Sequence, residues 1–369
     1  MFRVELLPAK HGDAIWIEYS AAGSTRRMLV DGGPIGAYDA LEARVRRVPK
    51  NERLLELLVV THVDSDHIEG IIKLLDQPQL GLRLRDLWFN GWTQLTWPLF
   101  DEPATRSPMH GSFLEVRIRD HAQPWNRWFG GRAVMASRTA LPVVDLDGGC
   151  RVTVLSPNAK RLESLRTAWE RAAAQLDVMP DDLDFFAERL LAARRYRDAS
   201  EATADPGVPQ AAFPRRLDPS VANGSSIALL VEFEGRSCLL LGDAHASVLE
   251  ASIRQLLANR GQDRLHVDAV KASHHGSAAN LSAPLLALLD AEMFLFSTNS
   301  EHHGHPDESA IELVLRSARR PPTLVFNYRT RKTGIWGEAS RLKQYGHQVV
   351  YPDPGEEGVA RDLSLRHAP

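Results

Sequence analysis

Four side chains that can bind a cation follow one apolar run almost directly. Residues 57–60 read Leu-Leu-Val-Val, and the segment His62-Val63-Asp64-Ser65-Asp66-His67 begins two residues later. A continuous apolar run of this kind is typical of a buried strand, so the segment is expected to lie at a strand end. Like charges this close repel each other, and a divalent cation compensates for the repulsion. The chain is therefore expected to fold around a metal site here.

The spacing within this segment predicts two sets of ligands. His62 and Asp64 are two residues apart in an extended stretch, so their side chains point the same way. Asp66 and His67 lie at the start of a helix predicted over 68–75, and they are expected to address a second cation. The alternative interpretation is a solvated acidic loop.

Other residues that can bind a metal also follow apolar segments. Asp243 ends LLLGD, His274 and His275 stand in KASHHGS, and His305 stands in GHP after MFLFS. Asp31 follows an apolar segment too, in LVDGG, and is expected to orient a ligand. A single residue in such a position is weak evidence for a metal site, but the same placement recurs along the chain. The Asp243 carboxylate is a candidate bridge between two cations.

Strands and helices alternate along much of the chain, which predicts α/β layers. Strands are predicted at 2–7, 14–19, 27–30, 54–60, 226–233, 237–241, 267–272, 293–296 and 323–326. Helices are predicted at 40–48, 68–75, 159–197, 246–259, 283–289 and 307–318. Residues 81–219 differ in character, since tryptophans stand among glycines and prolines in the first half. We expect 1–80 and 220–369 to form the catalytic domain, with 81–219 as an insertion or cap.

Composition limits the classes of partner. The formal net charge of the 369 residues is −3, so bulk attraction to nucleic acid is not expected and any phosphate contact must be local. The two cysteines form no disulfide framework, which is typical of a reducing compartment. No apolar run approaches 18 residues. A cytoplasmic location and no membrane partner are therefore expected.

A set of short motifs is similar to a known family. HGDAIWIEY, THVDSDHIEG, NGSSIALL, LLLGDAH, KASHHGS and GHP resemble the metallo-β-lactamase superfamily, and most closely the soluble domain of ComEC-type competence channels. The resemblance is spread over about 1–80 and 220–330. It implies a four-layer αββα sandwich with a dinuclear site at the sheet edges, here with a largely helical or irregular insertion.

The resemblance also implies a ligand set. His62, Asp64 and Asp243 would hold one metal, while Asp66, His67, Asp243 and His275 would hold the other. His274 is the alternative ligand to His275, and whichever of the two does not bind the metal would face the substrate.

Two departures from the family pattern bear on the metal. The commonest motif of the superfamily is HxHxDH, and Asp64 replaces its second histidine. The histidine of the third motif is missing, and the segment 223–226 stands near its place. Both changes replace nitrogen by oxygen, which shifts the preference from zinc towards harder ions such as manganese. We therefore expect two divalent ions, Zn²⁺ or Mn²⁺.

The resemblance favours a hydrolase that acts on phosphodiesters, with single-stranded DNA as one candidate substrate. Metal-activated water would attack phosphorus, with Asp66 orienting the water, His274 facing the substrate and His305 donating a proton to the leaving oxygen. Candidate substrate-binding residues are His11, Asn223, Ser225 and Arg329. One alternative is hydrolysis of a lactone, thioester or β-lactam on the same site. Another is a non-catalytic binding module.

Overall fold

Sixteen strands lie in the part of the chain that the computed structural model describes, which is residues 1–21, 23–96, 109–175, 218, 220–302 and 304–365. They are β1 (Phe2–Leu6), β2 (Ile15–Ala21), β3 (Ser24–Val30), β4 (Leu54–Leu55), β5 (Leu57–Val59), β6 (Arg83–Leu84), β7 (Leu87–Trp88), β8 (Val143–Leu146), β9 (Cys150–Ser156), β10 (Ala228–Phe233), β11 (Arg236–Leu240), β12 (Leu265–Lys271), β13 (Leu289–Phe296), β14 (Thr323–Phe326), β15 (Gln348–Val350) and β16 (Val359–Asp362).

The same residues contain eleven α-helices. They are α1 (Tyr38–Arg46), α2 (Ser65–Leu75), α3 (Trp92–Leu95), α4 (Met109–Asp120), α5 (Ala159–Gln175), α6 (Val221–Gly224), α7 (Ala246–Arg260), α8 (Ala283–Ala287), α9 (Glu308–Ser317), α10 (Arg331–Gly334) and α11 (Ala339–Tyr345). None of these helices is long and apolar enough to cross a membrane.

Most strands belong to two sheets. The first has the order β16-β1-β2-β3-β5-β7 and the second the order β15-β14-β13-β12-β11-β10-β9-β8, while β4 and β6 form a separate pair. Strands β3, β5 and β7 are parallel, and so are β11 to β15. The carboxyl ends of parallel strands lie at one edge of a sheet, which is where α/β layers place ligand sites.

Apolar side chains of both sheets meet in one core. Val4 and Ile17 of the first sheet belong to the same buried cluster as Val154 and Leu229 of the second, and each is at most 1% exposed. The two sheets therefore pack face to face.

Helices cover the outer face of each sheet. Leu41 of α1 and Ile71 of α2 pack in a core on the first sheet, and Leu249 of α7 and Ile311 of α9 pack in a core on the second. The layers are thus helix, sheet, sheet and helix. This confirms the predicted fold class, a four-layer αββα sandwich.

Part of the predicted insertion belongs to the sandwich. Strand β7 pairs with β5 in the first sheet, and β8 and β9 extend the second sheet beyond β10. Residues 87–88, 143–146 and 150–156 of the predicted insertion are therefore strands of the two main sheets. The rest of 81–219 includes 97–108, 176–217 and 219, which lie outside the described residues, so the insertion as a whole stays a prediction.

A close backbone contact fixes α2 against the turn after β3. A Cβ atom at Gly70 would overlap the carbonyl oxygen of Gly32, and the Gly70 amide donates to the Gly33 carbonyl at 2.9 Å. The Gly32 amide in turn donates to the carbonyl of His67 at 2.8 Å. The two glycines thus let His67 approach the end of β3.

We expect Gly70→Ala to destabilise the protein. Alanine in place of glycine normally stabilises a helix interior by about 1 kcal/mol. Here the methyl group must displace backbone, and overpacking of this kind costs about 1–3 kcal/mol. Gly334→Ala in α10 is the matched control, because no atom of the described residues, apart from its chain neighbours and its own helix backbone, lies within 4 Å of the added Cβ. The midpoint of urea unfolding, measured for both variants, tests this prediction. Equal midpoints for Gly70→Ala and Gly334→Ala would contradict it.

Candidate metal centre

The ends of several strands bring the predicted ligands together. His62 follows β5, His67 lies in the first turn of α2, Asp243 follows β11 and His275 follows β12. Each of these four residues is at most 2% exposed. Ionisable side chains so deeply buried need partners or a cation.

Asp243 lies at the centre of the cluster. Its Oδ1 is 3.5 Å from Nε2 of His67, and its Oδ2 is 3.9 Å from Nε2 of His62. The same Oδ2 lies 3.7 Å from Nε2 of His274 and 3.9 Å from Nε2 of His275. Four imidazoles therefore present the same ring nitrogen to one carboxylate.

Two further carboxylates border the cluster. Oδ2 of Asp66 is 3.3 Å from Nε2 of His275 and 3.8 Å from Nε2 of His67. Oδ2 of Asp64 is 3.5 Å from Nε2 of His62, and its side chain is 44% exposed. Asp64 thus lies at the open side of the cluster, and Asp66 lies deeper.

The hydrogen bonds at Nδ1 determine which nitrogen of each neutral ring carries the proton. Nδ1 of His67 is 2.8 Å from Oδ2 of Asp31, and Nδ1 of His275 is 2.9 Å from the Ser297 carbonyl. A carboxylate and a carbonyl can only accept. Nδ1 therefore donates in both rings, which leaves the Nε2 lone pair free to bind a metal.

His62 has the same tautomer for a less direct reason. Its Nδ1 lies 3.0 Å from the hydroxyls of both Thr61 and Ser226. Thr61 donates its hydroxyl proton to Asp31 at 2.8 Å, so its oxygen must accept from His62. The Ser226 hydroxyl also accepts from the amide of Asp243 at 3.1 Å, which ties the two halves of the cluster together.

The side-chain amide of Asn280, whose own hydrogen bonds fix its orientation, orients His274. Nδ2 of Asn280 donates to Oδ2 of Asp218 at 2.9 Å and to the carbonyl of Asp243 at 3.1 Å. Oδ1 of Asn280 therefore faces Nδ1 of His274, at 3.0 Å, and accepts its proton. The Nε2 lone pair of His274 consequently also points into the cluster.

The convergence of these groups fits a metal ion. Within the part of the chain that the structure describes, Nε2 of His62, His67 and His275 and Oδ1 of Asp243 are buried atoms that have no hydrogen-bond partner. These nitrogens lie 3.3–3.9 Å from carboxylate oxygens of Asp66 and Asp243, which exceeds a normal hydrogen bond. Ligands about 2.0–2.2 Å from a tetrahedral zinc ion are about 3.3–3.6 Å apart.

Charges within the cluster shift its pKa values in opposite directions. Burial lowers the pKa of His275, but Asp13 and Asp243 outweigh it and raise the pKa to about 9. Burial also lowers the pKa of His67, and Asp243 and Asp66 raise it well above its usual value. Burial raises the pKa of Asp243, but His67 above all brings it well below the usual range. Without a cation, protons on the imidazoles balance the carboxylates, and metal binding would displace them.

Other predicted residues lie around this cluster. The ring centroid of His305 is 5.2 Å from that of His274, and the ring of His11 is 4.7 Å from that of His302. Nδ2 of Asn223 is 3.4 Å from Nδ1 of His274. His305 and Asn223 are thus brought next to a candidate ligand. His11 lies beside another loop histidine, His302.

Two predicted substrate-binding residues point elsewhere. The Ser225 hydroxyl donates to the carbonyl of Ala222 at 2.6 Å, so it closes the short helix α6. The guanidinium of Arg329 lies over the ring of Tyr351, 5.1 Å from its centroid. Neither contact is directed to the cluster, and the roles of both residues in substrate binding stay predictions.

Several residues that orient the ligands had no role predicted from the sequence. Asp13, Thr61, Ser226, Asp218 and Asn280 each hydrogen-bond to, or lie beside, a ring of the cluster. Three of them stand within the motifs HGDAIWIEY, THVDSDHIEG and NGSSIALL. A signal was therefore present for Asp13, Thr61 and Ser226, but only the fold shows which serine of the pair 225–226 is used.

Comparisons with known proteins give distant matches. No family model matches the chain, and no curated protein matches its sequence. One similar structure is a mutant of CmlA β-hydroxylase, with 12% identity and a TM-score of 0.40 over 98% of this chain; the chain spans 54% of that protein. Another is YhfI from Bacillus subtilis, a metallo-β-lactamase fold protein, with 10% identity, a TM-score of 0.41, and 98% and 99% of the two chains covered.

A third similar structure is Zn²⁺-bound PqqB from Methylobacterium extorquens, with 12% identity, a TM-score of 0.38, and 98% and 100% of the two chains covered. Similarity at this level carries no argument about activity. The chemistry of this chain follows from its own side chains.

Proposed function

We propose that this protein is a metal-dependent hydrolase. The observation that carries the proposal is the convergence of Nε2 from four histidines on the carboxylates of Asp243 and Asp66. A divalent cation held there would act as a Lewis acid and supply hydroxide near neutral pH.

The residues that would hold the metal form two overlapping sets. His62 and Asp64 share Asp243 on one side, while His67, Asp66 and His275 share it on the other. One group of three mutually close ligand atoms, from His62, His67 and Asp243, spans the two sets, and another, from Asp66, His67 and His275, lies within the second. We assign Zn²⁺ or Mn²⁺ to this centre, and the three carboxylates favour the harder ion.

We further propose that the substrate is a phosphodiester, with nucleic acid as the candidate polymer. The oxygen-rich ligand set supports this, because hard cations bind phosphate oxygens well. The net charge of −3 gives no bulk attraction to DNA, so the metal centre itself would supply the positive charge that meets the phosphate.

His305 is the candidate proton donor to the leaving oxygen. Its Nδ1 lies 3.5 Å from Oδ1 of Asp307, and its side chain is 13% exposed. Burial raises the pKa of Asp307, but the neighbouring His305 ring lowers it below its usual value, so the carboxylate stays ionised. The proximity of His305 to His274 places it where it could transfer a proton to the leaving oxygen.

A substrate panel tests the proposal. The full chain is loaded with Zn²⁺ or Mn²⁺ and assayed on bis-nitrophenyl phosphate, single-stranded DNA, double-stranded DNA, a lactone, a thioester and a chromogenic β-lactam. We expect phosphodiester cleavage that a chelator abolishes and that added metal restores. Asp243→Ala protein, purified in the same way, controls for contaminating nucleases.

The other outcomes reject parts of the proposal separately. Turnover of the lactone, thioester or β-lactam alone would keep the hydrolase and reject the phosphodiester. Full metal occupancy without any turnover would favour a binding module. Absence of metal binding would reject the metal centre itself.

A further inference from the structure

A fully buried lysine lies beside the cluster. Lys271 ends β12 and its side chain is 0% exposed. Its Nζ donates to Oδ2 of Asp13 at 2.6 Å and to the carbonyl of Ala272 at 3.1 Å. A buried ammonium requires a close counter-charge, so the pair with Asp13 has to form whenever this edge of the sandwich is packed.

Asp13 comes from the other sheet and reaches the metal centre. It lies between β1 and β2, and its side chain is 1% exposed. Its amide donates to the carbonyl of Asp66 at 3.2 Å, and its Oδ1 is 3.3 Å from Nδ1 of His275. The Asp13 carboxylate thus contacts the lysine and an imidazole of the cluster, and the Asp13 amide contacts the backbone of a candidate ligand.

The arrangement parallels the one at His67. There Asp31 accepts the Nδ1 proton at 2.8 Å and directs Nε2 towards Asp243. At His275 the Ser297 carbonyl accepts the Nδ1 proton, and Asp13 adds a negative charge beside it. A carboxylate beside the distal nitrogen of a metal-binding histidine fixes its tautomer and raises its basicity.

We propose that Asp13 and Lys271 are a positioning pair that prepares His275 as a ligand, which rests on the proposed metal centre. Lys271 keeps the Asp13 carboxylate ionised and in place, and Asp13 polarises His275. Because Asp13 and Lys271 belong to different sheets, the pair also makes the His275 side of the centre depend on the packing of the two sheets.

Three variants separate positioning from stability. Asp13→Asn and Lys271→Met each leave one buried group without its partner, and the double variant removes both charges. In the full chain we expect each single variant to lower the urea midpoint and the double variant to recover most of that loss. Affinity for Zn²⁺ or Mn²⁺, from competition with a chromophoric chelator, should fall roughly 10–100-fold in all three.

The double variant decides between the two roles. A merely structural pair predicts that metal affinity recovers together with the urea midpoint, and that result would overturn the proposal. If a single variant does not fold, the metal affinity of the double variant still tests the proposal. Asp31→Asn is the comparator, since it should weaken binding through His67 by a similar factor.

Metal binding is the readout, so the test does not depend on hydrolysis. A wild-type chain that binds metal but cleaves nothing would reject the proposed function and leave this test intact. A wild-type chain that binds no metal would overturn both proposals.

Discussion

Asp243→Ala is expected to abolish high-affinity metal binding and, with it, hydrolysis. All four imidazoles face this carboxylate at 3.5–3.9 Å, so its removal takes a ligand from both halves of the centre. Losing an outer-shell partner of a metal ligand costs roughly 10–100-fold in affinity or activity, and losing a shared ligand should cost more.

A conservative variant separates the charge of Asp243 from its shape. Asp243→Asn leaves the backbone amide bonded to Ser226 and keeps nearly the same volume, but it leaves the imidazoles without their central counter-charge. We expect it to lose metal almost as completely as the alanine variant. The exposed Asp263, between α7 and β12, is the control, and Asp263→Ala should bind metal as wild type does.

Metal analysis by mass spectrometry and a cleavage assay on bis-nitrophenyl phosphate check this prediction. Two metal ions per chain retained by Asp243→Ala would contradict the central position of this residue. Loss of activity with both metals retained would instead assign Asp243 a role in catalysis alone.

The candidate ligands could be predicted from the sequence because they share one local pattern. His62, Asp243 and His275 each follow an apolar run, and parallel strands bring such positions to one sheet edge. His67 adds the start of an amphipathic helix. These relations lie within short stretches of chain, so a single sequence suffices to predict them.

The residues that orient the ligands were harder to predict from the sequence, because their roles depend on contacts between distant segments. Asp13 meets Lys271 across 258 positions, and Ser226 meets His62 across 164. Within 223–226, Ser225 and Ser226 are chemically alike, and only the end of α6 decides that one closes the helix and the other faces the cluster.

Some strands were also missed for identifiable reasons. Strand β16 is half-buried throughout, so it has no apolar pattern, and it is a strand only because β1 offers it an antiparallel edge. Strand β13 begins four residues before the predicted start because parallel pairing with β12 accommodates the polar residues Asp290 and Glu292. Tertiary pairing overrides local pattern in both cases.

Metal removal is expected to destabilise the protein, and more so at pH 9 than at pH 7. Free metal at 1,000 times its dissociation constant stabilises the native state by about 4 kcal/mol. Metal binding requires neutral imidazoles, so affinity rises as His67 and His275 lose their protons at higher pH.

The metal-free protein has the opposite dependence on pH. The pKa of His275 is about 9 in the folded chain, above its ordinary value of 6.5. A raised pKa gives stability that is complete below pH 6.5 and is lost as the pH rises through 9, and for this group the loss amounts to about 3 kcal/mol. The carboxylates of Asp66 and Asp243 do not enter this window, because their pKa values lie below their usual range.

These two dependences are the same competition between protons and metal, so the difference in melting temperature between metal-bound and chelator-treated protein should widen from pH 7 to pH 9 at a fixed free metal concentration. Scanning calorimetry of the full chain measures it, with Asp243→Ala as the control in which the chelator has no effect. A difference that stays constant or narrows towards pH 9 would show that protons and metal do not compete for the same imidazoles, and the assignment of His275 as a ligand would then be wrong.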